Sequence, residues 1–276
     1  MKTKYFLYLL LAMTYSSRAF AWGELGHRIV AEYGSQIADT ADWTNCHIRA
    51  EQIVSHTNDP DKIWRQQRIL HRWEAEAHFF HVAKQPPTWR ERTDAQERSQ
   101  GYLVYRITEW VELAKKQRKQ ENWSALAETL YGLSHYLGDL TQPLHLHHDY
   151  DGKAFGIVGI HSQFETKMLN RYEPSARSAI ESKLKSEKIP PLWNTLAFKN
   201  IIFDTAQQSF AKAPRLLEGS KSALQFTNTS KKRGSKRQGK ARFIKKILWQ
   251  NTGELAQEQL ALGARLWARA LNEICK

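Results

Sequence analysis

Apolar residues recur at helical spacing along most of the chain. In segment 26–38, GHRIVAEYGSQIA, they fall three or four positions apart, on one face of a helix. The same period predicts helices at about 94–120, 123–141, 160–172, 174–187, 198–212 and 243–274. Another helix should begin at NDPDK, residues 58–62, and run through IWRQQRIL, residues 63–70, because Asn or Asp before proline marks a helix start. Neither an alternating run nor an internal repeat interrupts this pattern, so we expect a single, mainly helical domain of the all-α class.

The first 21 residues have the features of a secretory signal peptide. Lys2 and Lys4 precede the apolar run FLYLLLAM, which is too short to cross a bilayer. Ala19 and Ala21 frame a cleavage site, which makes Trp22 the first residue of the mature domain 22–276. No other stretch is apolar enough to span a membrane. We therefore expect a secreted or periplasmic protein without stable membrane insertion, and we expect it to be a monomer.

The chain is strongly basic, with 41 Lys and Arg against 28 Asp and Glu and a net charge of +13. This balance fits either a solvated basic surface or attraction to polyanions such as nucleic acid or anionic headgroups. The segment 227–242, TNTSKKRGSKRQGKAR, contains no acid and no large apolar side chain. It is predicted to be a mobile basic loop, either a solvated insertion or an arm that contacts anionic surfaces.

The two cysteines are Cys46 and Cys275. In an exported chain they can form one disulfide, and they can also remain buried and free. We favour a bridge that ties the C-terminal helix to the N-terminal part of the chain. Such a bridge would close a loop of more than two hundred residues.

Histidine and carboxylate residues recur at spacings that suit metal binding. His135 and Asp139 lie at i and i+4 and so project from one face of a helix, as do His161 and Glu165. A lone helical histidine is more often a packing residue than a ligand, but this recurrence favours a metal cluster. The candidate ligands are too many for one tetrahedral ion and suggest two or three ions: His27, Asp59, His78, His135, Asp139, His145, His161 and Glu165.

The predicted cleavage site adds a further candidate ligand. An α-amine has a pKa of about 8, so beside a dication it readily loses its proton. Cleavage after Ala21 would let Trp22 offer its amine nitrogen and its own carbonyl oxygen, with His27 close by. The uncleaved precursor would then lack this ligand and full activity.

At this point the sequence resembles the secreted, single-strand-specific zinc nucleases of fungi, plants and bacteria, the S1/P1 type, which belong to the superfamily of bacterial zinc phospholipases C. The resemblance rests on WGELGH from Trp22, HFF at 78–80, SHYLGDLTQPLH at 134–145 and IHSQFE at 160–165, in the family's order. It implies an α-helical fold with a trinuclear zinc cleft. It also implies hydrolysis of single-stranded DNA and RNA to 5′-mononucleotides and removal of 3′-phosphates from 3′-nucleotides.

The resemblance assigns roles to individual residues. Three zinc ions would be held, the first by Asp59, His78, His135 and Asp139, the second by Trp22, His27 and the bridging Asp139, and the third by His145, His161 and Glu165. Asp59 would orient the attacking water and Asp139 would join the close ion pair. Lys62 would contact phosphate, and Phe79 would stack on a base, which explains a preference for unpaired strands.

Three departures from the family pattern leave alternatives open. Glu165 stands where the family usually has Asp, the segment from His145 to His161 is short, and His81 replaces a carboxylate or asparagine. The glutamate resembles the zinc-dependent phospholipases C, which gives a first alternative: cleavage of phospholipid headgroups. A non-catalytic exported protein with bound metal is the second alternative, although structural zinc sites favour four closed Cys and His ligands.

Overall fold

The computed structural model describes residues 22–275 except 40–43, 68–70, 72, 92–97, 187–188 and 230–236, and gives no side chains for 224–229 and 237–240. The predicted signal peptide and its cleavage therefore lie outside the described residues. Ten α-helices run through the described parts of the chain: α1 Glu24–Ile37, α2 Ala50–His56, α3 Asp59–Lys62, α4 Leu103–Lys119, α5 Trp123–Thr141, α6 Ile160–Ser162, α7 Leu169–Arg171, α8 Glu173–Ser186, α9 Phe198–Thr229 and α10 Arg237–Ile274.

Short helical turns connect these helices. They are the 3₁₀ turns Thr44–Cys46, Trp64–Gln66, Glu76–His78, Val82–Lys84, Trp89–Glu91, Arg98–Gln100, Pro143–Leu146 and Pro191–Asn194, together with a π-helical turn Gln163–Met168 between α6 and α7. Within the described residues, β-pairing is limited to one isolated bridge between Phe80 and Gly101. The prediction of a single all-α domain is therefore confirmed.

Helix α5 lies in the middle of the molecule. Its residues are buried on nearly every side through its C-terminal half, which is the pattern of a helix packed all round. Asn122 caps its start by accepting a hydrogen bond from the Ala125 amide at 3.4 Å. Pro143 follows its end, as the sequence predicted. The helix that carries His135 and Asp139 is thus held rigidly in the core.

The long helix α10 packs against α1 on one side of α5. The Trp267 indole donates to Ser35 at 3.1 Å, and Gln259 donates to the Thr141 carbonyl at 2.6 Å. The predicted disulfide is present: Cys46 and Cys275, 229 residues apart, are bridged at a Cα–Cα distance of 5.4 Å. The first and last parts of the described chain are therefore joined covalently.

Several predicted helix bounds were wrong for local reasons. The helix predicted from residue 94 begins only at Leu103, because Gly101 has a φ of +102° and interrupts helical geometry. The helix predicted from NDPDK ends already at Lys62, and the 3₁₀ turn Trp64–Gln66 follows it. Helix α9 continues through Pro214 to Thr229, beyond the predicted end at 212.

The basic segment also differs from its prediction. The backbone is helical as far as Thr229 and again from Arg237, so helices enter the predicted loop 227–242 from both sides. The remainder, 230–236, lies outside the described residues. None of the described helices combines the length and apolar character that crossing a bilayer requires.

Candidate metal centre

Three groups of histidine and carboxylate side chains meet beside the C-terminal half of α5. Within each group, one ligand atom per residue lies within 4.8 Å of the others. The groups are His27, His135 and Asp139; Asp61, His78 and His135; and His145, His161 and Glu165. All of these side chains are buried, and the first two groups share His135.

Separate elements bring these side chains together. His27 lies in the first turn of α1, and His135 and Asp139 lie one turn apart on α5. Asp61 is on α3, and His78 ends the turn Glu76–His78. His145 lies in the 3₁₀ turn that follows Gln142, while His161 on α6 and Glu165 on the π-helical turn remain one turn apart.

A glycine allows α1 and α5 to approach closely at the centre. A Cβ atom on Gly138 would lie 2.8 Å from His27 Nδ1, which is closer than real Cβ contacts allow. Gly26 has a similar role, because its Cβ would lie 2.7 Å from the Trp22 Cβ. Gly26 of WGELGH and Gly138 of HYLGD are therefore required by the packing of the site.

Asp139 lies between the first two groups. Its Oδ1 is 3.4 Å from His27 Nε2, and its Oδ2 is 2.9 Å from His78 Nδ1 and 3.5 Å from His135 Nε2. The two oxygens of this carboxylate therefore face different ligands: Oδ1 faces His27 of the first group, and Oδ2 faces His78 and His135 of the second. This is the arrangement expected of a carboxylate that bridges two cations.

Asp61, and not Asp59, belongs to the centre. Asp61 lies 3.7 Å from His78 Nδ1 and 3.8 Å from His135 Nε2. The Asp59 carboxylate instead pairs with His56 at 2.8 Å. Because each residue turns a helix by about 100°, side chains two positions apart on α3 point to nearly opposite sides.

Lys62 also points away from the groups. Its ammonium pairs with Glu24 at 2.8 Å, and its side chain is 51% exposed. Both residues line the groove between α1 and α2, together with Asp59. The cation beside the groups is Arg65, whose Nη1 lies 3.5 Å from Asp61 Oδ1.

The third group is compact. His161 Nε2 lies 2.8 Å from Glu165 Oε2 and 3.2 Å from His145 Nε2. The amide of Gln142 donates to the same carboxylate oxygen at 3.4 Å. Glu165 Oε2 also lies 4.0 Å from His145 Nε2, although the family pattern led us to expect the shorter aspartate at this position.

Main-chain carbonyls orient several of the imidazoles. His135 Nδ1 lies 2.8 Å from the Thr57 carbonyl, and His145 Nδ1 contacts the His78 carbonyl. His161 Nδ1 lies 3.3 Å from the Tyr150 carbonyl. In each case the Nδ1–H donates and Nε2 faces the group, as in metal-ligating histidines.

His78 is oriented by a carboxylate that the sequence analysis missed. Glu74 Oε1 lies 3.1 Å from His78 Nε2 and accepts a hydrogen bond from the Tyr136 hydroxyl at 2.7 Å. Burial raises the pKa of Glu74 to about 7. A carboxylate behind an imidazole fixes its orientation and raises its basicity toward a metal.

The electrostatics of the centre call for a cation. Burial lowers the pKa of His27, His78, His135 and His145 well below the usual value, so these imidazoles are neutral. Burial also raises the pKa values of Asp61 to about 6 and of Glu165 to about 7, and it raises that of Asp139 well above its usual value. Neutral imidazoles and poorly solvated carboxylates are suited to divalent metal ions.

Unsatisfied polar atoms support the same conclusion. Both ring nitrogens of His27, Oδ1 of Asp61 and Oδ1 of Asp139 are buried without a hydrogen-bond partner among the described residues. Such groups are costly unless something binds them. The donor set, its geometry and these unsatisfied atoms all fit bound metal ions.

Trp22 and Phe79 occupy different positions relative to the groups. Trp22 is fully buried against α5 and the π-helical turn, with its indole donating to Thr141 at 3.4 Å and its ring 5.4 Å from Phe164. A Cβ atom on Gly138 would lie 2.8 Å from His27 Nδ1 and 3.8 Å from Trp22 Cδ1, so both side chains pack against the same point of α5. Phe79 is partly exposed directly after His78, where its ring stacks on His81 at 4.7 Å.

Two comparisons with known proteins bear on this centre. No curated protein matches the chain significantly. The family model described as S1/P1 nuclease matches residues 22–276, the whole predicted mature domain. The chain therefore belongs to the S1/P1 nuclease family.

Proposed function

We propose that the chain hydrolyses phosphodiester bonds in single-stranded DNA and RNA to 5′-mononucleotides, removes 3′-phosphates from nucleotides, and uses three zinc ions. Family membership already makes it a metal-dependent hydrolase of phosphodiester bonds. The observation that carries the proposal is the convergence of three buried ligand groups beside α5. The disulfide suits an oxidising compartment, so we place the mature protein outside the cytoplasm after cleavage at Ala21.

The proposed ligand sets combine the three groups with the roles that the family resemblance assigns to Trp22 and to Asp139 as the bridge. Asp61, His78, His135 and Asp139 would hold the first ion, with Asp61 replacing the expected Asp59. Trp22, His27 and Asp139 would hold the second, and His145, His161 and Glu165 the third. Bound zinc would acidify a water molecule and draw negative charge from phosphate oxygens.

The remaining steps belong to residues of the chain. Asp61 would orient the attacking water and accept its proton, because its carboxylate lies between His78 and His135 at the centre. Arg65 would replace Lys62 as the cation that stabilises charge on the phosphoryl oxygens. Phe79 would hold an unpaired base by stacking, which is worth about 1–3 kcal/mol and requires little sequence preference.

The test is a parallel assay of correctly processed protein. Single-stranded DNA, RNA, a 3′-mononucleotide and phosphatidylcholine are each supplied with and without a chelator, and zinc is counted by elemental analysis. We expect three zinc ions per chain and chelator-sensitive cleavage of the first three substrates. Cleavage of phosphatidylcholine alone would establish the phospholipase alternative, and a metal-loaded protein inert toward all four would establish the binding-protein alternative.

A further inference from the structure

Two chain segments leave the metal centre side by side and carry aromatic rings toward the surface. One runs from His78 to His81, and the other runs from His145 to His148. The Phe80 amide donates to the His145 carbonyl at 2.9 Å, and His145 Nδ1–H donates to the His78 carbonyl. The two segments are therefore held in a fixed relation to each other and to the centre.

In the first segment, the rings of successive residues point alternately toward the core and toward the surface. Phe79 is extended, so successive side chains point to opposite sides. Phe80 is fully buried against Trp89 and Tyr105. Phe79 and His81 both remain partly exposed, with ring centroids 4.7 Å apart and planes inclined by 28°.

The second segment builds a stack of three rings. His147 lies 4.6 Å from His148 and 5.8 Å from Phe210 of α9, and the three planes are nearly parallel, inclined by 27° and 18°. The Asp149 amide donates to His147 Nδ1 at 3.1 Å, which fixes the orientation of the middle ring. His148 is exposed at the end of this stack.

The two sets of rings are neighbours. The pKa of His81 is lowered to about 4, chiefly by burial and further by its proximity to His148 and His147. These three imidazoles form none of the described groups with ligand atoms within 4.8 Å of one another. Their arrangement suits flat ligands better than a further metal ion.

We infer that the stack Phe210–His147–His148, which we call the histidine stack, binds a second nucleobase of the same single strand whose other base lies on Phe79. This inference rests on the proposed function and adds a subsite to it. Base stacking on an aromatic ring strengthens binding by about 5- to 150-fold and tolerates any base. The histidine stack would therefore favour chains of two or more nucleotides over mononucleotides.

The test compares His148→Ala and His148→Phe with a control, His47→Ala. His47 is also exposed and contacts an aromatic ring, Trp123, with ring centroids 4.4 Å apart and planes inclined by 45°. Trp123 begins α5 twelve residues before His135, which is about 18 Å along the helix. The control therefore removes the same side chain at a distance from the centre.

Binding of a phosphorothioate oligothymidylate, which resists hydrolysis, is measured on the zinc-loaded proteins. We expect Kd to rise about fivefold or more in His148→Ala, and to stay near the parent value in His148→Phe and His47→Ala. The KM for a 3′-mononucleotide should be unchanged in all variants, because one base needs only Phe79.

A parent-like Kd in His148→Ala, or an equal rise in the mononucleotide KM, would overturn the inference. If the parent hydrolyses no nucleic acid, the proposed function fails. The comparison of Kd values still decides whether the histidine stack binds bases.

Discussion

His27 Nε2 lies 3.4 Å from Asp139 Oδ1, and neither ring nitrogen of His27 has a hydrogen-bond partner among the described residues. The two side chains come from helices that are far apart in sequence, and both are fully buried. Burial keeps the imidazole neutral and disfavours the charge on the carboxylate. A cation between them would satisfy both, which is why this contact marks the metal centre.

Substitution of each aspartate of α3 by asparagine distinguishes the metal ligand from its neighbour. Asp61→Asn should lower zinc content and reduce turnover by about 100-fold or more, since it removes a buried charge at the centre. Asp59→Asn should stay within about twofold of the parent, because it loses only an exposed pair with His56. Elemental analysis and kcat on single-stranded DNA provide the measurement, and the reverse ranking would restore Asp59 as the ligand.

Gly138→Ala should disturb the centre although alanine favours helix. Substitution of a helical glycine by alanine normally gains about 1 kcal/mol, but the new Cβ would lie 2.8 Å from His27 Nδ1. We expect a lower Tm and reduced zinc content. Gly219→Ala on α9 is the control, because its tightest contact is the Thr252 methyl at 3.0 Å, outside the three groups, so its zinc content should match that of the parent. Parent-like zinc content and Tm in Gly138→Ala would contradict the close approach.

Zinc binding should release more protons at pH 6 than at pH 8. The metal-free pKa values of Asp61 and Glu165, about 6 and about 7, are raised by burial, so both carboxyls carry protons on the acidic side of this range. His27, His78, His135 and His145 have pKa values lowered by burial and stay neutral throughout. Each displaced proton weakens apparent affinity about tenfold per unit fall in pH.

Calorimetry in two buffers of different ionisation enthalpy counts these protons. Asp59→Asn should release the same number as the parent, since its carboxylate is outside the groups. Equal release at pH 6 and pH 8 would show that the carboxyls are ionised before the metal binds.

An additional residue before Trp22 should impair the mature protein. It would replace the amine by an amide, which is a poor ligand, while leaving the buried indole and its contact with Thr141 in place. We expect the extended form to retain its Tm in the presence of a chelator but to bind fewer zinc ions and to turn over more slowly. Full zinc content in the extended form, with N-terminal sequencing of both proteins, would exclude the amine as a ligand.

Much of the architecture is encoded locally. The bounds of α5 match the prediction at both ends, because Asn122 and Pro143 mark them in the sequence. The regular spacing of His135 with Asp139 and of His161 with Glu165 survives in the structure, even across a π-helical turn. The family resemblance, confirmed over residues 22–276, depended on these short patterns.

The parts that the sequence analysis missed depend on tertiary packing. Asp59 and Asp61 stand in the same pentapeptide, and only the packing of α3 against α5 decides which is buried. Glu74 and Arg65 stand at no spacing in the sequence that predicts a role at the site. Glu74 is placed there by its contact with His78, and Arg65 by its contact with Asp61. Gly101 prevents the helix from starting earlier because its φ is positive. Glycine allows a positive φ but does not require one, so the sequence alone did not predict it.

The covalent link between Cys46 and Cys275 has a consequence for maturation. Its two cysteines are separated by 229 residues, so on the proposed export route nearly all of the intervening chain would have to cross into the oxidising compartment before the two thiols could meet. On that route oxidation would follow translocation, and a chain truncated during synthesis would keep Cys46 as an unpaired thiol.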